Sequence, residues 1–215
     1  VTEDQSALRA PITAHVERHL GPIKQVFRES PDASAIEVLH VAATTDRPVH
    51  TLITSGMSDQ AMAIPAGTDS PEHLELMTTL PQGWQLDAQA PRDATWYWPI
   101  RQLLQLAALP RQSNSWLGWG RTVPNGEPPQ PLASNTKLCG AIIVPSLLVP
   151  TPFYELKLAT RTIAFFSVVP LYQEELALKE REGMKALLEK LIDRGIRDLV
   201  DPKRRNVAAK RFGLF

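Results

Sequence analysis

The chain has little that would commit it to redox, disulfide or membrane chemistry. Cysteine is nearly absent: the single Cys139 has no partner for an internal disulfide, lies in an apolar run, and reads as a small buried hydrophobe in a reducing cytoplasm. Net charge is absent as well. With 23 Lys and Arg against 23 Asp and Glu over 215 residues, no global field draws the protein to nucleic acid or to an anionic membrane, so neither is expected as a partner. Long hydrophobic runs are missing: nothing approaches the ~20 residues needed to cross a bilayer, and the polar N-terminus is not a signal peptide. No internal repeat is present.

Assembled catalytic chemistry is also lacking. His15 and His19 stand four apart on a helical pattern, but Val16 occupies the place where a zinc protease needs glutamate, and no third ligand is in sight. His40 and His50 fall on facing strands and read as satisfied sheet histidines, as does His73. Ser55 and Ser58 flank Gly56-Met57 without the glycine that a nucleophile elbow requires after the serine. Gly118-Trp119-Gly120 has Val123 where a phosphate loop needs its third glycine. Glu174, Glu175, Glu180 and Glu182 belong to a solvated helix face, with Glu175 placed to pair with Lys179 one turn on. A hydrolase or metal-binding protein built on His40, His50 and Ser55 stays open as a lesser alternative, and no cofactor is implied.

What the chain does have is tryptophan, concentrated in one place. Residues 95–128 hold Trp96, Trp98, Trp116 and Trp119, with Trp84 just upstream. Large aromatics gathered this way form either the densest part of a core or the hot spot of an interface, and both readings stay open. Within this stretch Pro99 suits the first residue of a helix. Ile100, Leu103, Leu104 and Ala107 then make its buried stripe, and Pro110 stops it. Gly118 and Gly120 suit a strand edge or bulge approached closely by something else, and Pro124-Asn125-Gly126 makes a turn.

Periodicity predicts the rest. Leu8, Ile12, Val16 and Leu20 mark an opening amphipathic helix, ended by Gly21-Pro22. Residues 36–43 and 49–55 make a hairpin with apolar residues on both faces, hence a central position in a covered sheet. Residues 61–64, 73–80, 138–144, 153–158 and 162–169 read as further strands, the last two as a hairpin. Leu176, Met184, Leu187, Leu188, Leu191 and Ile192 mark one long amphipathic helix ended near Gly195, followed by a short helix through Ile196, Leu199 and Val200. The expected fold is α+β: one domain over residues 1–200 with a mixed, largely antiparallel sheet flanked by helices, and a basic, solvated tail over residues 201–215.

Several stretches resemble the Suppressor of fused family, particularly its bacterial members. They are HTLITSGMSD from His50, LELMTTLP from Leu74, YWPIRQL from Tyr97, WLGWGRTVPNGEP from Trp116 and PLYQEEL from Pro170. The resemblance implies a compact, non-enzymatic fold that acts by binding another protein. The animal relatives hold a peptide as an added strand between two lobes, and this chain is too short for the second lobe. Bacterial relatives look like immunity proteins that occlude a polymorphic toxin encoded nearby, with a regulatory adaptor for a non-toxin partner as the alternative. The contact set that the resemblance implies is Trp98, Trp116, Trp119, Arg121 and Asn125, and residues 118–122 could offer an open edge for strand addition.

Overall fold

A computed structural model describes residues 5–28, 36–86 and 94–209, with the side chains of 5–8 left out. The elements run α1 (Gln5–Leu20), β1 (Ile23–Phe27), β2 (Glu37–Val41), β3 (Val49–Ser55), β4 (His73–Pro81), α2 (Ala94–Ser113), β5 (Thr122–Pro124), β6 (Gly140–Val144), β7 (Glu155–Lys157), β8 (Thr162–Leu171) and α3 (Gln173–Asp193). The architecture is the expected α+β domain. Its sheet of eight strands has the order β1-β2-β3-β4-β8-β6-β5, with β7 beside the start of β8. Every described ladder is antiparallel except one: β4 and β8 run parallel, with His73 opposite Ile163 and Met77 opposite Ser167.

The both-faced apolar pattern of the central strands has the predicted cause. Val38 and Leu52 point into a cluster beneath α2 with Trp98, Ile100 and Leu103. Leu39, Val41 and Ile53 point the other way, to Ile12 and Val16 of α1 and to Phe153 and Phe165. The hairpins β2–β3 and β7–β8 form as expected. The side chain of Leu8, the first residue of the α1 stripe, lies outside the described residues, as do Lys210 and Arg211 of the basic tail.

Several expectations are corrected, each for a local reason. Helix α2 begins a turn before Pro99 and runs past Pro110. The carbonyl that Pro99 leaves without an amide, that of Thr95, accepts instead from the Asn135 side chain at 3.3 Å, which removes much of the cost of an internal proline. The helix ends at Asn114, whose φ is 46°. Strand β1, which the sequence pattern leaves unassigned, alternates half-buried Ile23 and Gln25 with exposed Lys24 and Val26, with a bulge between Ile23 and Gln25. Residues 61–64 form no strand; Met62 N–H bonds only to the Glu72 carbonyl. Residues 196–200 form no helix: Leu199 bridges to Thr79, and the Val200 N–H donates to the Thr79 carbonyl. Strand β8 continues through Pro170 because its ladder with β4 stops at Ser167, leaving Pro170 with a strand neighbour on one side only. Helix α3 is interrupted at Gly183, whose backbone is not helical.

Within the basic segment after residue 200, Lys203 and Arg205 are exposed as expected, but Arg204 is not. Arg204 is only 7% exposed and pairs at 2.5 Å with Glu175, which is fully buried. Glu175 therefore does not serve Lys179. It also accepts the Tyr172 and Val207 N–H groups, while Arg204 reaches the Pro170 carbonyl and lies over the Tyr172 ring. Removing one partner of such a pair leaves an uncompensated buried charge, which costs more than the pair contributes. Arg204→Ala is expected to lower unfolding free energy by about 3 kcal/mol in urea titrations, and an unchanged midpoint would show that this segment is not tied to the domain.

Candidate functional site

Five tryptophans separate into two populations. Trp84, Trp96 and Trp98 pack edge to face, with ring centroids 5.3 Å apart for Trp84–Trp96 and 5.9 Å for Trp84–Trp98. The Trp84 indole donates to the Trp96 carbonyl. Trp98 is 1% exposed, so its ring fills the core under α2 and cannot reach a docked protein. It leaves the predicted contact set for that reason. Trp116 is half-buried against the same core, and the Arg121 guanidinium sits 4.7 Å over its ring. Trp119 is different in kind: it is 58% exposed, a large apolar ring held in water.

The backbone explains how Trp119 is held there. Gly120 has φ of 77°, and a Cβ at that position would run into the Met184 thioether of α3; a Cβ at Gly118 would strike the Ser70 hydroxyl. The left-handed backbone at Gly120 favours glycine, and both glycines let neighbouring side chains pack against the loop backbone. The Gly120 N–H donates to the Ile143 carbonyl and the Ile143 N–H to the Arg121 carbonyl, so the loop continues into β5 along one edge of β6. Strand β5 closes the sheet with a partner on one side, and Pro124 deprives its outer edge of an N–H. Asn125 organises the following turn: its amide donates to the Gln130 carbonyl at 2.7 Å, which makes it a shaping residue as well as a surface one.

Trp119 forms the lip of an apolar groove of about 200 Å³. The floor is Ile142, Val144 and Val169; Leu188 and Ile192 of α3 form one wall, and Leu147 stands opposite. Leu147 and Ile192 are 63% and 66% exposed. Sequence reasoning missed both. Leu147 sits in a proline-punctuated segment without periodicity, and Ile192 falls on the expected buried stripe of α3 but stands exposed in its last turn. The segment bearing Leu147 is pinned by Asp198, nearly fully buried, which accepts the Ser146 hydroxyl and, at 3.1 Å, the Leu147 N–H.

The histidines are engaged elsewhere. His15 stacks on Phe153 and Phe165 and donates Nε2–H to the Phe153 carbonyl. His50 donates Nε2–H to the Gln82 carbonyl at 3.0 Å, so its Nδ1 is a bare acceptor, receiving the Ala43 N–H and, at 3.0 Å, the His40 Nε2–H. His40 Nδ1 is then left bare and buried. Ser55 is fully buried and hydrogen-bonded to neither histidine, and Ser58 is spent on Glu75. Among the described residues no group of three His, Cys, Asp or Glu is placed to hold a metal.

The family model for Suppressor of fused protein matches residues 32–205. The chain belongs to the Suppressor of fused family. A homologue from Neisseria gonorrhoeae FA 1090 is similar over 95% of this chain and 99% of its own, at 17% identity and a TM-score of 0.66. A chain in the Sufu–Fu complex is similar over 94% of this chain and 91% of its own, at 14% identity and 0.62. Drosophila Suppressor of Fused is similar over 80% of this chain and 42% of its own, at 17% identity and 0.55. At these identities the likeness is one of fold. No curated protein matches in sequence. No helix among the described residues is long and apolar enough to cross a membrane.

The histidine pair yields a pH prediction. Burial, with the nearby His50 second, pushes the His40 pKa down to about 4 from its usual 6.5. The unfolded chain therefore binds a proton that the folded chain refuses across that window, and stability must rise with pH there and fall on acidification. About 3 kcal/mol should be lost between pH 6.5 and 4 from His40 alone. His40→Asn should flatten that slope in urea titrations at stepped pH; an unchanged slope would show that His40 is not the group the fold keeps unprotonated.

Proposed function

We propose that this Suppressor of fused domain is a non-enzymatic protein-binding module, and that it acts as an immunity protein that neutralises a polymorphic toxin by covering it. The observation that carries the binding role is Trp119, 58% exposed at the lip of an apolar groove and fixed there by a glycine-bounded loop. Holding a large apolar side chain in water on a rigid backbone has a cost in solubility that an interface would offset. Trp119, with Arg121 stacked on Trp116 and Asn125 shaping the next turn, supplies the aromatic and arginine chemistry that dominates binding hot spots. A standard interface of ~1,600 Å² centred there would need no catalytic pocket. The toxin as partner rests on the resemblance to bacterial family members.

A regulatory partner is the second reading, favoured by the relative found in the Sufu–Fu complex. What is encoded beside the gene separates the two. Co-purification with the product of the adjacent gene is expected to capture a toxin-like protein, and Trp119→Ala and Arg121→Ala should each weaken capture by about tenfold or more, as for hot-spot residues. Because Trp119 is exposed, its replacement should leave the melting temperature unchanged. Capture by the native chain that neither substitution weakens would move the interface off this stretch.

A further inference from the structure

The groove beside Trp119 restricts what can enter it. At about 200 Å³ it admits roughly two aliphatic side chains packed at interior density. Its floor strand β6 is already paired on both edges, by β8 and β5. Several of the amides around it are also committed. The Gly120 N–H goes to Ile143, the Gly195 N–H to the Ile192 carbonyl and the Ile196 N–H to the Leu191 carbonyl, while the Leu147 N–H goes to the Asp198 carboxylate. An extended segment lying in this groove would find few partners for its own N–H and C=O groups, each unmet group costing about as much as a lost hydrogen bond. A helix arrives with those groups already satisfied and offers only side chains.

The charges around the groove select further. On the solvent face of α3, Lys185 and Glu189 lie 3.8 Å apart and neutralise one another. The Asp198 carboxylate is turned inward to Ser146 and Leu147. Arg197 lines the groove, is exposed, and makes no ion pair among the described residues. Of the two charged residues that line the groove, the one left to face an incoming partner is therefore the positive Arg197. We propose that the groove is the docking site for an amphipathic helix of a partner protein. That helix carries two aliphatic side chains one turn apart, seated between Trp119, Leu147 and Ile192, and a carboxylate that meets Arg197. This rests on the protein-binding reading above and gives it a partner chemistry.

The test is selection of a displayed library of helical peptides, randomised along one face, on the full chain. Enriched peptides should share aliphatic residues at i and i+4 with an adjacent Asp or Glu. A fluorescein-labelled enriched peptide should bind the native chain about tenfold tighter or more than it binds Ile192→Asp. Arg197→Glu should weaken it about fivefold, and exchanging the peptide's acid for lysine should restore binding to that variant. Both substitutions are at exposed positions, and matched thermal melts establish that the variants fold. The proposal is overturned by no enrichment, by enrichment of basic peptides, by equal binding to Ile192→Asp, or by sedimentation showing a dimer of this chain that Ile192→Asp dissociates. Should it fall while Ile192→Asp still captures the adjacent gene product, the binding role stands with its interface elsewhere. If the native chain captures neither peptide nor neighbour, the binding role falls too.

Discussion

The fold depends on the parallel ladder between β4 and β8. All strands before β4 form an antiparallel meander, and β5 and β6 reach the sheet only through β8. The five register pairs from His73–Ile163 to Met77–Ser167 are therefore what makes one sheet of two halves. Strand β8 is long enough to divide its other edge, giving its first residues to β7 and its last to β6. That division brings the Trp119 loop, the Leu147 segment and α3 to the same end of the sheet.

Three buried carboxylates complete what the ladders leave loose, each holding a segment without periodic structure. Glu75, fully buried, accepts the Gly56 and Ser58 N–H groups and the Thr54 and Ser58 hydroxyls. Burial pushes its pKa up, and those donors oppose the shift. Glu175 holds residues 204 and 207 against the start of α3, and Asp198 holds residues 146 and 147. A buried carboxylate is tolerated only where donors converge on it, so each of these residues dictates the local course of a loop. The groove inherits its shape from Asp198 and from the Met184 contact at Gly120, not from side chains that a partner would touch.

How much of this was legible in the sequence follows from which forces are periodic. Helices α1 and α3 announce themselves through the spacing of Ile12 and Val16 or of Leu187 and Leu191, because burial on one face imposes the period, while the central hairpin, β4, β6 and β8 show as short apolar or β-branched runs bounded by turn residues. The parallel pairing of β4 with β8 has no such signal, since both strands are apolar on both faces. Helix α2 misled at both prolines: Asn135, forty residues away, supplies a donor at Pro99 that no local rule foresees. Glu175 and Asp198 look in sequence like surface acids, and only tertiary contact reveals their donors. For the site, the tryptophan cluster was visible, but its division into buried Trp98 and exposed Trp119 depends on Gly118, Gly120 and Met184 meeting in space. Leu147 carried no signal at all.

The central claim is that partner contact centres on the end of the sheet where Trp119, Leu147 and Ile192 surround the groove. Amide hydrogen exchange on the captured complex, compared with the free chain, tests it most directly. Added protection concentrated in residues 117–121, 145–148 and 188–198 is the predicted result. Protection confined to the opposite edge of the sheet, at β1 and β2, with no change around Trp119, would contradict it.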